Sequence, residues 1–314
     1  MQIGLHIGKF DWPGSPVNTG KKLVEIATTA DKHGFRTLSV MDHLFQLGTQ
    51  YGEVHGPVES AMLEGYSTIA YLAAVTKQIN LGLMVTCNFF REPGLLVKIV
   101  STIDVLSGGR AFLGIGAGWF EQEAKGMGIR YPPVRERVER LEETLQIAKH
   151  MWSNNRSPYE GKYYHLAEPI NSPQPLSKPH PRIMVGAFGE KKMLKLVAKY
   201  ADAWNFVIGS PLDLEDFGVL KGGYRRGLDA LTRKMSVLEQ HCKAVNRPFS
   251  EIEKTVGTYI KMGPSAMSSG DVIAICRELS ELGVSLVGFV ISDIHEIEPL
   301  EILGEEVIPV VVDF

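Results

Sequence analysis

The sequence contains few cysteines, little net charge and no long hydrophobic run. Its three cysteines, Cys87, Cys242 and Cys276, lie far apart and form no CxxC pair, so neither a disulfide framework nor a cysteine-ligated zinc site is indicated. The histidines show no metal-ligand spacing such as HExxH, and we expect no metal. The net charge of −3 offers no concentrated positive field, so nucleic acid is not expected as a partner.

The sequence also lacks the signals that direct a chain to a membrane. No apolar run approaches the roughly 20 residues of a membrane helix. The N-terminal sequence MQIGLHIGKFDW has neither the basic region nor the long apolar region of a signal peptide. We therefore expect a cytoplasmic protein with no membrane partner.

Two patterns alternate regularly along the chain. Eight short apolar runs are typical of buried strands. They begin at Ile3, Arg36, Ile79, Arg110, Arg182, Asp202, Glu253 and Val284. Helical spacing of apolar residues fills the stretches between them, at residues 19–34, 66–76, 95–106, 134–152, 190–200, 228–245, 271–282 and within 294–303.

This order of elements predicts a barrel. Eight strands that alternate with helices pair in parallel through right-handed crossovers, and eight is the number that closes a barrel. An open doubly wound sheet is the alternative. Although 314 residues would also allow two domains, we predict one α/β domain over residues 1–314, a (β/α)8 TIM-like barrel.

Three connections are longer than a barrel needs, at residues 46–60, 153–181 and 210–227. Long loops in a compact domain usually bind ligands or cover a site. We expect these three to be insertion loops at the C-terminal mouth of the barrel, where they would select the substrate.

Asp42 and His43 follow the second predicted strand in the sequence VMDHLFQ. Active sites of this fold lie at the C-terminal ends of the strands. His43 could act as an acid, a base or a polarising group, and Asp42 could accept a hydrogen bond from a cofactor or a neighbouring loop. A solvated pair of loop residues is the alternative, but the position directly after a buried strand favours function.

The third strand ends in a polar and aromatic cluster. Thr86 and Asn88 could hydrogen-bond the edge of a heterocycle, or they could cap the strand end. Arg91 could bind an anion, although a surface arginine is the simpler interpretation. His6, at the end of the first strand, could point into the mouth or complete the core, and we favour the core.

The run RAFLGIGAGW places Gly114, Gly116 and Gly118 at the end of the fourth strand. Their GxGxG spacing is not the GxGxxG of a dinucleotide-binding loop, which belongs in an early βαβ unit. Small residues here would let a flat ring approach the backbone, and Trp119 could pack against that ring or the substrate. Tight turns that happen to contain glycine are the alternative.

Gly186, Ala187, Phe188 and Gly189 join the fifth strand to a helix that we expect to begin at Glu190. Backbone amides at a helix N-terminus bind anions, and glycine allows a phosphate to come close. An ordinary turn between strand and helix is the alternative.

Taken together, several segments resemble the luciferase-like monooxygenase superfamily, and most of all its branch that uses the deazaflavin coenzyme F420. The resemblance extends from the first strand to about residue 208 and weakens beyond it. The segments that carry it are HGFRTLSVMDH, the third-strand segment, TIDVLSGGRAFLGIGAGW, RYPPVRERVERLEETLQIAKHMW and VGAFGEKKMLKLVAKYADAWN. The resemblance implies a flavin or deazaflavin at the barrel mouth, a small-molecule substrate and a homodimer.

The resemblance also implies roles for particular residues. Asp42 and His43 match a pair near the ring, and Met84 and Val85 match a position where many relatives have a non-prolyl cis peptide behind the ring. The segment 186–189 matches the loop that receives the phosphate. The predicted catalytic residues are His43, Asp42 and Trp119. The predicted cofactor contacts are Asp42, Met84, Val85, Thr86, Asn88, Gly116, Gly118, Gly186, Ala187, Phe188, Gly189 and Glu190.

One departure from the family pattern bears on the substrate. The sugar-phosphate dehydrogenases of the group carry a catalytic glutamate just after the strand-four glycines, where this sequence has Trp119, so oxidation of a sugar phosphate is in doubt. Glu121 and Glu123 are close, but no motif assigns them that role. We predict hydride transfer between coenzyme F420 and a small organic substrate. An FMN-dependent monooxygenase is the alternative, and a non-catalytic flavin-binding protein is disfavoured because the site residues are retained.

Overall fold

Nine parallel strands form one sheet in the computed structural model, which describes residues 1–51, 55–209, 223–263 and 266–314. In chain order they are β1 (Gln2–Ile7), β2 (Thr37–Val40), β3 (Asn80–Leu83), β4 (Thr86–Cys87), β5 (Phe112–Gly116), β8 (Arg182–Gly186), β9 (Ala203–Val207), β10 (Glu253–Ile260) and β11 (Leu286–Ile291). Their order in the sheet is β3-β2-β1-β11-β10-β9-β8-β5-β4. A separate antiparallel hairpin consists of β6 (Tyr159–Glu160) and β7 (His165–Leu166).

The two ends of this sheet meet. β4 pairs with β5, and Leu81 in β3 bridges to Ala111, directly before β5. β3 and β4 are separated only by Met84 and Val85 and act as one interrupted strand. The sheet therefore has the eight strand positions that the sequence predicted, and it forms a nearly closed parallel barrel surrounded by helices.

The helices begin and end close to where apolar spacing placed them. They are α1 (Thr19–Lys32), α2 (Gly65–Val75), α3 (Pro93–Leu106), α4 (Glu121–Gly126), α5 (Val134–Trp152), α6 (Met193–Tyr200), α7 (Gly223–Ala244), α8 (Ser269–Glu281), α9 (Glu298–Ile302) and α10 (Ile308–Val311). α3 begins two residues earlier than predicted because Pro93 occupies its first turn, where proline needs no hydrogen-bond partner. The short α4 was not predicted, and it supplies a side chain to the site described below. In the described parts of the chain, no helix has the length and apolar character needed to cross a membrane.

The long connection at residues 153–181 does not lie at the C-terminal mouth. It joins the end of α5 to the start of β8, which places its ends on the opposite side of the barrel. The backbone N–H groups of Leu176 and Ser177 donate to the Asp104 carboxylate at 2.7 and 2.9 Å, near the end of α3. The expectation of an insertion loop at the mouth is therefore not confirmed for this segment.

The other two long connections follow strands. Leu47 and Tyr51, from the connection after β2, line the mouth cavity described below, whereas residues 52–54 lie outside the described residues. The third connection, 210–227, lies outside them as far as residue 222. Its role at the mouth stays a prediction.

Gly114 lies where β5 and β3 approach each other closely as the barrel closes, so a substitution there tests how tight this contact is. A Cβ atom at this position would collide with the backbone carbonyl of Leu83, and backbone cannot move aside as a flexible side chain can. We expect Gly114→Ala to lower the free energy of unfolding by about 1–3 kcal/mol or more. Urea denaturation followed by circular dichroism would measure this change.

Gly20→Ala, in α1, is the matched control. A Cβ at Gly20 would meet only the Tyr71 side chain, at ordinary van der Waals distance. Alanine in a helix is favoured over glycine by up to about 1 kcal/mol, so this variant should be as stable as the wild type or slightly more so. Equal stability of both variants would show that the contact between β5 and β3 is looser than described.

Candidate active site

A cavity of about 660 Å³ opens at the C-terminal ends of the strands. Its volume is within the range of sites for small molecules and cofactors. Eleven of the residues predicted for the site line it: Asp42, His43, Met84, Val85, Thr86, Gly116, Gly118, Trp119, Gly186, Phe188 and Gly189. Three others, Asn88, Ala187 and Glu190, are absent from its wall. We call this space the mouth cavity.

Asp42 is buried and both of its carboxylate oxygens are occupied. The Arg91 guanidinium donates to Oδ2 and Oδ1 at 2.8 and 2.9 Å, and the Cys87 backbone N–H donates to Oδ2 at 2.9 Å. Bidentate pairing of this kind is strong and directional. Arg91 also donates to Glu64, and its side chain is 12% exposed. The interpretation of Arg91 as a surface arginine is therefore wrong, because it fixes Asp42 against the loop that follows β4.

His43 pairs with a carboxylate that no sequence motif had assigned. Glu123, in the first turn of α4, is 2% exposed. Its Oε1 lies 2.8 Å from His43 Nδ1, and its Oε2 accepts the Leu44 backbone N–H at 2.8 Å. A carboxylate on Nδ1 favours the tautomer with the proton on that nitrogen, which leaves Nε2 as the nitrogen that can exchange a proton with a ligand.

Aromatic rings surround His43. The rings of Trp119 and Phe120 each lie with their centroids 5.9 Å from the imidazole in edge-on orientations. Tyr51 contacts Trp119 with the centroids 5.0 Å apart. Trp119 is 42% exposed, so it forms part of the rim of the mouth cavity. This wall presents apolar ring surface to whatever occupies the space beside His43.

The peptide bond between Met84 and Val85 is cis, at the position that the resemblance implied. The Val85 side chain projects between the ends of β5 and β8. A Cβ on Gly116 or Gly186 would lie 3.0–3.1 Å from Val85 methyl groups, closer than ordinary packing. The glycines at these two positions therefore make room for Val85, and Val85 forms part of the cavity floor.

Thr86 and Asn88 have different surroundings. Thr86 lines the cavity, and its hydroxyl is 2.7 Å from the Tyr66 hydroxyl. Asn88 is fully buried behind the wall, where its Nδ2 donates to the Arg137 carbonyl at 3.1 Å. The prediction of Asn88 as a direct cofactor contact is not supported by this position, because its side chain joins the end of β4 to α5.

Cys87, between them, lies on the cavity wall with its thiol against Gly118. Burial raises the pKa of this thiol well above its usual range. Because the thiolate is the nucleophilic form of cysteine, Cys87 contributes packing to the site and no nucleophile.

The loop after β8 presents backbone donors to the mouth cavity. The N–H groups of Phe188 and Gly189 have no hydrogen-bond acceptor among the described residues, and both residues line the cavity. Ala187 is buried, with its carbonyl accepting the Trp204 indole N–H at 3.0 Å. Glu190 faces α7, where it pairs with Arg233 and Lys234 at 3.1 and 3.2 Å. Phe188 and Gly189 thus line the cavity, whereas Ala187 and Glu190 on either side of them contact the protein.

His6 is 7% exposed and lines the mouth cavity as well as a smaller neighbouring cavity. Its Nδ1 lies 2.9 Å from the Ser39 hydroxyl. Burial, with smaller contributions from His43 and His55, lowers the pKa of His6 to about 3. It is therefore a neutral polar group at physiological pH, both part of the core and part of the cavity wall.

A model of the family described as luciferase-like monooxygenase matches residues 1–236, three quarters of the chain. The chain belongs to this family. An F420-dependent glucose-6-phosphate dehydrogenase of Kineococcus radiotolerans is 32% identical over 213 residues, which are 68% of this chain and 59% of that protein. As a member of the luciferase-like monooxygenase family, the chain is an oxidoreductase.

Solved structures of low sequence identity share the fold over nearly the whole chain. An F420-dependent secondary alcohol dehydrogenase in complex with an F420-acetone adduct superposes with a TM-score of 0.76 at 17% identity, covering 99% of this chain and 98% of that one. The FMN complex of the oxygenating constituent of 3,6-diketocamphane monooxygenase of Pseudomonas putida has a TM-score of 0.70 at 19% identity, with 98% of each chain covered. These likenesses establish the TIM-like barrel.

The low pKa of His6 makes the stability of the fold sensitive to acid. Between its ordinary pKa of about 6.5 and its pKa of about 3 in the folded protein, the unfolded chain binds a proton on His6 that the folded chain does not. The free energy of unfolding therefore falls as the pH falls through this window, by up to about 1.4 kcal/mol per pH unit from this residue. His55, whose pKa burial lowers to about 4, adds to the same trend.

Urea denaturation of the wild type and of His6→Gln at pH 7.5, 6 and 5 would measure the effect. The glutamine keeps a polar group near Ser39 and cannot take up the proton, so the variant should lose less stability than the wild type on acidification. Parallel loss in the two proteins would show that His6 is not buried in its neutral form.

Proposed function

We propose that this oxidoreductase transfers a hydride between the deazaflavin coenzyme F420 and a small organic substrate bound in the mouth cavity. The observation that supports it most directly is the pairing of His43 with buried Glu123 on the cavity wall. An oriented imidazole with one ring nitrogen available is the group that an alcohol or carbonyl substrate needs for its proton. The kinship with an F420-dependent dehydrogenase supports the cofactor.

The residues of the mouth cavity fit a flavin-type group. A flat tricyclic ring has large apolar faces and a polar edge, and the wall combines Met84 and Val85 with the hydroxyl of Thr86. The available N–H groups of Phe188 and Gly189 suit a phosphate. We propose that these five residues, with Gly116, Gly118 and Gly186, hold the cofactor. FMN shares the ring shape and the phosphate, so the wall accommodates either cofactor.

A deazaflavin, when bound, supplies or accepts a hydride and reacts poorly with oxygen. The chain supplies the proton chemistry. In alcohol oxidation, His43 Nε2 accepts the hydroxyl proton, and in carbonyl reduction the protonated ring donates it. Glu123 holds the ring through Nδ1 and stabilises its positive charge, which is the role of an orienting carboxylate. Asp42 positions the loop after β4 through Cys87 and Arg91, and in this assignment it takes no proton.

The aromatic wall favours a substrate with apolar surface. Trp119 and Tyr51 present ring surface at the rim, and the carboxylates of the wall, Asp42 and Glu123, are paired within the protein. Trp119 also occupies the place of the sugar-phosphate dehydrogenases' glutamate. These features support an alcohol, ketone or enone as the substrate class.

Titration of the purified apoprotein with F420 and, separately, with FMN tests the proposal. Each loaded protein is then reduced and mixed with small carbonyl acceptors with and without oxygen, while absorbance reports reoxidation. Tight F420 binding with oxygen-independent reduction of an acceptor is expected. Preference for FMN with oxygen consumption would overturn the proposal in favour of a monooxygenase, and a reduced cofactor that no acceptor reoxidises would indicate a binding protein.

His43→Ala and Glu123→Gln test the proton relay. Loss of a general acid or base usually lowers kcat by about 10² to 10⁴, and we expect this for His43→Ala with cofactor affinity within about threefold. Glu123→Gln keeps an acceptor for Nδ1 without the negative charge, so its loss of kcat should be smaller. Steady-state kinetics and cofactor titration would measure both.

His165→Ala, a change at an exposed hairpin histidine that pairs with Glu160, serves as the control and should leave kcat unchanged. Thermal unfolding of all three variants separates chemistry from folding. If His43→Ala loses stability and activity in proportion, His43 is a structural residue.

A further inference from the structure

Arg137, in the first turns of α5, is a buried cation on the wall of the mouth cavity. It is 6% exposed, and it lines the cavity together with Val134 and Val138. Its Nη1 donates to the Pro132 carbonyl at 2.9 Å, and its guanidinium lies over the Tyr131 ring, 4.3 Å from the centroid. These contacts fix the side chain in place, but neither of them neutralises its charge.

No carboxylate in the described part of the chain lies within ion-pair distance of Arg137. Two carboxylates line the same cavity, but Asp42 is held by Arg91 and Glu123 by His43. A buried guanidinium is stable when it is paired, and its planar donors match a carboxylate or a phosphate. The wall of the mouth cavity therefore carries one cation that is not balanced by the described protein.

The hydrogen-bonding groups around Arg137 are also incompletely used. Its Nε is buried without an acceptor, and so is Oδ1 of Asn88 without a donor, although Asn88 donates to the Arg137 carbonyl. Nη1 uses one of its two N–H groups for Pro132 and Nε is enclosed, so the second N–H of Nη1 and those of Nη2 are left to meet a ligand. Asn88 also donates its backbone N–H to the Gly116 carbonyl, so it joins the first turns of α5 to the end of β5.

We propose that Arg137 binds an oxyanion of the ligand in the mouth cavity, either the phosphate of the flavin-type cofactor or a carboxylate of the substrate. The two sources present the same chemistry to a guanidinium. This inference concerns binding and holds for F420 or FMN alike, so it does not depend on hydride transfer. Arg137 would then act together with the N–H groups of Phe188 and Gly189 for a phosphate, or alone for a substrate carboxylate.

The test compares phosphorylated cofactors with their counterparts that lack the phosphate. Fluorescence titrations of the apoprotein would use F420 against the deazaflavin riboside, and FMN against riboflavin. The variants are Arg137→Gln, which removes the charge, and Arg137→Lys, which keeps it. Arg140→Gln is the matched control one turn along α5, because Arg140 pairs with Glu136 outside the cavity.

If the phosphate is the oxyanion, Arg137→Gln should weaken the phosphorylated cofactor roughly 10- to 100-fold, as expected for a hydrogen bond to a charged group. The counterpart without phosphate should change by less than about threefold, and Arg137→Lys should be intermediate. The wild-type affinity for the phosphorylated form should also fall with added salt, a readout that remains if a variant fails to fold.

If each cofactor binds the wild type and the variants with equal affinity, a second experiment titrates the cofactor-loaded proteins with benzoate and with benzyl alcohol. Selective loss of benzoate binding in Arg137→Gln would assign the oxyanion to the substrate. The proposal is overturned if neither arm changes, if both members of a pair weaken equally, or if Arg140→Gln reproduces the effect. None of these readouts requires turnover, so failure of the hydride-transfer proposal would remain a separate result.

Discussion

Closure of the sheet between the interrupted strand β3–β4 and β5 is the constraint on which the site depends. β5 approaches so closely that Gly114 has no room for a side chain beside the Leu83 carbonyl. The strand then passes through Met84 and Val85 before pairing resumes at Thr86. This interruption directs Val85 into the space between Gly116 and Gly186. Met84 and Val85, which join β3 to β4 where the barrel closes, therefore form part of the floor of the mouth cavity.

The charged side chains around this floor are of two kinds. Some pair with other groups of the protein, and others are left to contact a ligand. Asp42 is an anion on the cavity wall, yet Arg91 and the Cys87 N–H use both of its oxygens. Glu123 is likewise committed to His43 and the Leu44 N–H. Buried charges are costly unless paired, so these pairs explain why two carboxylates can lie beside an apolar cavity. Among the charged side chains that line the cavity in the described part of the chain, Arg137 is the one without such a partner.

Much of the barrel could be predicted from the sequence because its strands are buried on both faces and appear as continuous apolar runs. Asp42 and His43 could be placed at the mouth for the same reason, since the strand that precedes them is unambiguous. Glu123 could not be assigned, because its partner lies 80 residues away in the chain and the six-residue α4 is too short for helical spacing to reveal. The burial of Arg91 could not be predicted either, because its partner Asp42 lies 49 residues away in the chain.

Residues that are adjacent in a sequence motif also face different surroundings in the fold, and the motif alone does not show which residue faces which. In the loop after β8, Phe188 and Gly189 line the cavity while Ala187 and Glu190 face the protein. Residues 153–181 looked like a mouth loop because of length and composition, which do not tell on which side of the barrel a connection lies. That follows from the elements it joins: a connection from a helix to a strand starts and ends away from the mouth.

The position of the carboxylate near His43 connects this geometry with the choice of substrate. Trp119 follows the glycines at the end of β5, and the carboxylate comes four residues later, on α4. From there Glu123 reaches Nδ1 of His43 and is covered from solvent, while Trp119 lies at the rim with its ring against Tyr51. Ring surface therefore forms the rim, and in the proposed mechanism the carboxylate acts through the histidine. In the proposed mechanism this arrangement keeps an acid or base at the site, while the entrance presents ring surface that suits apolar compounds.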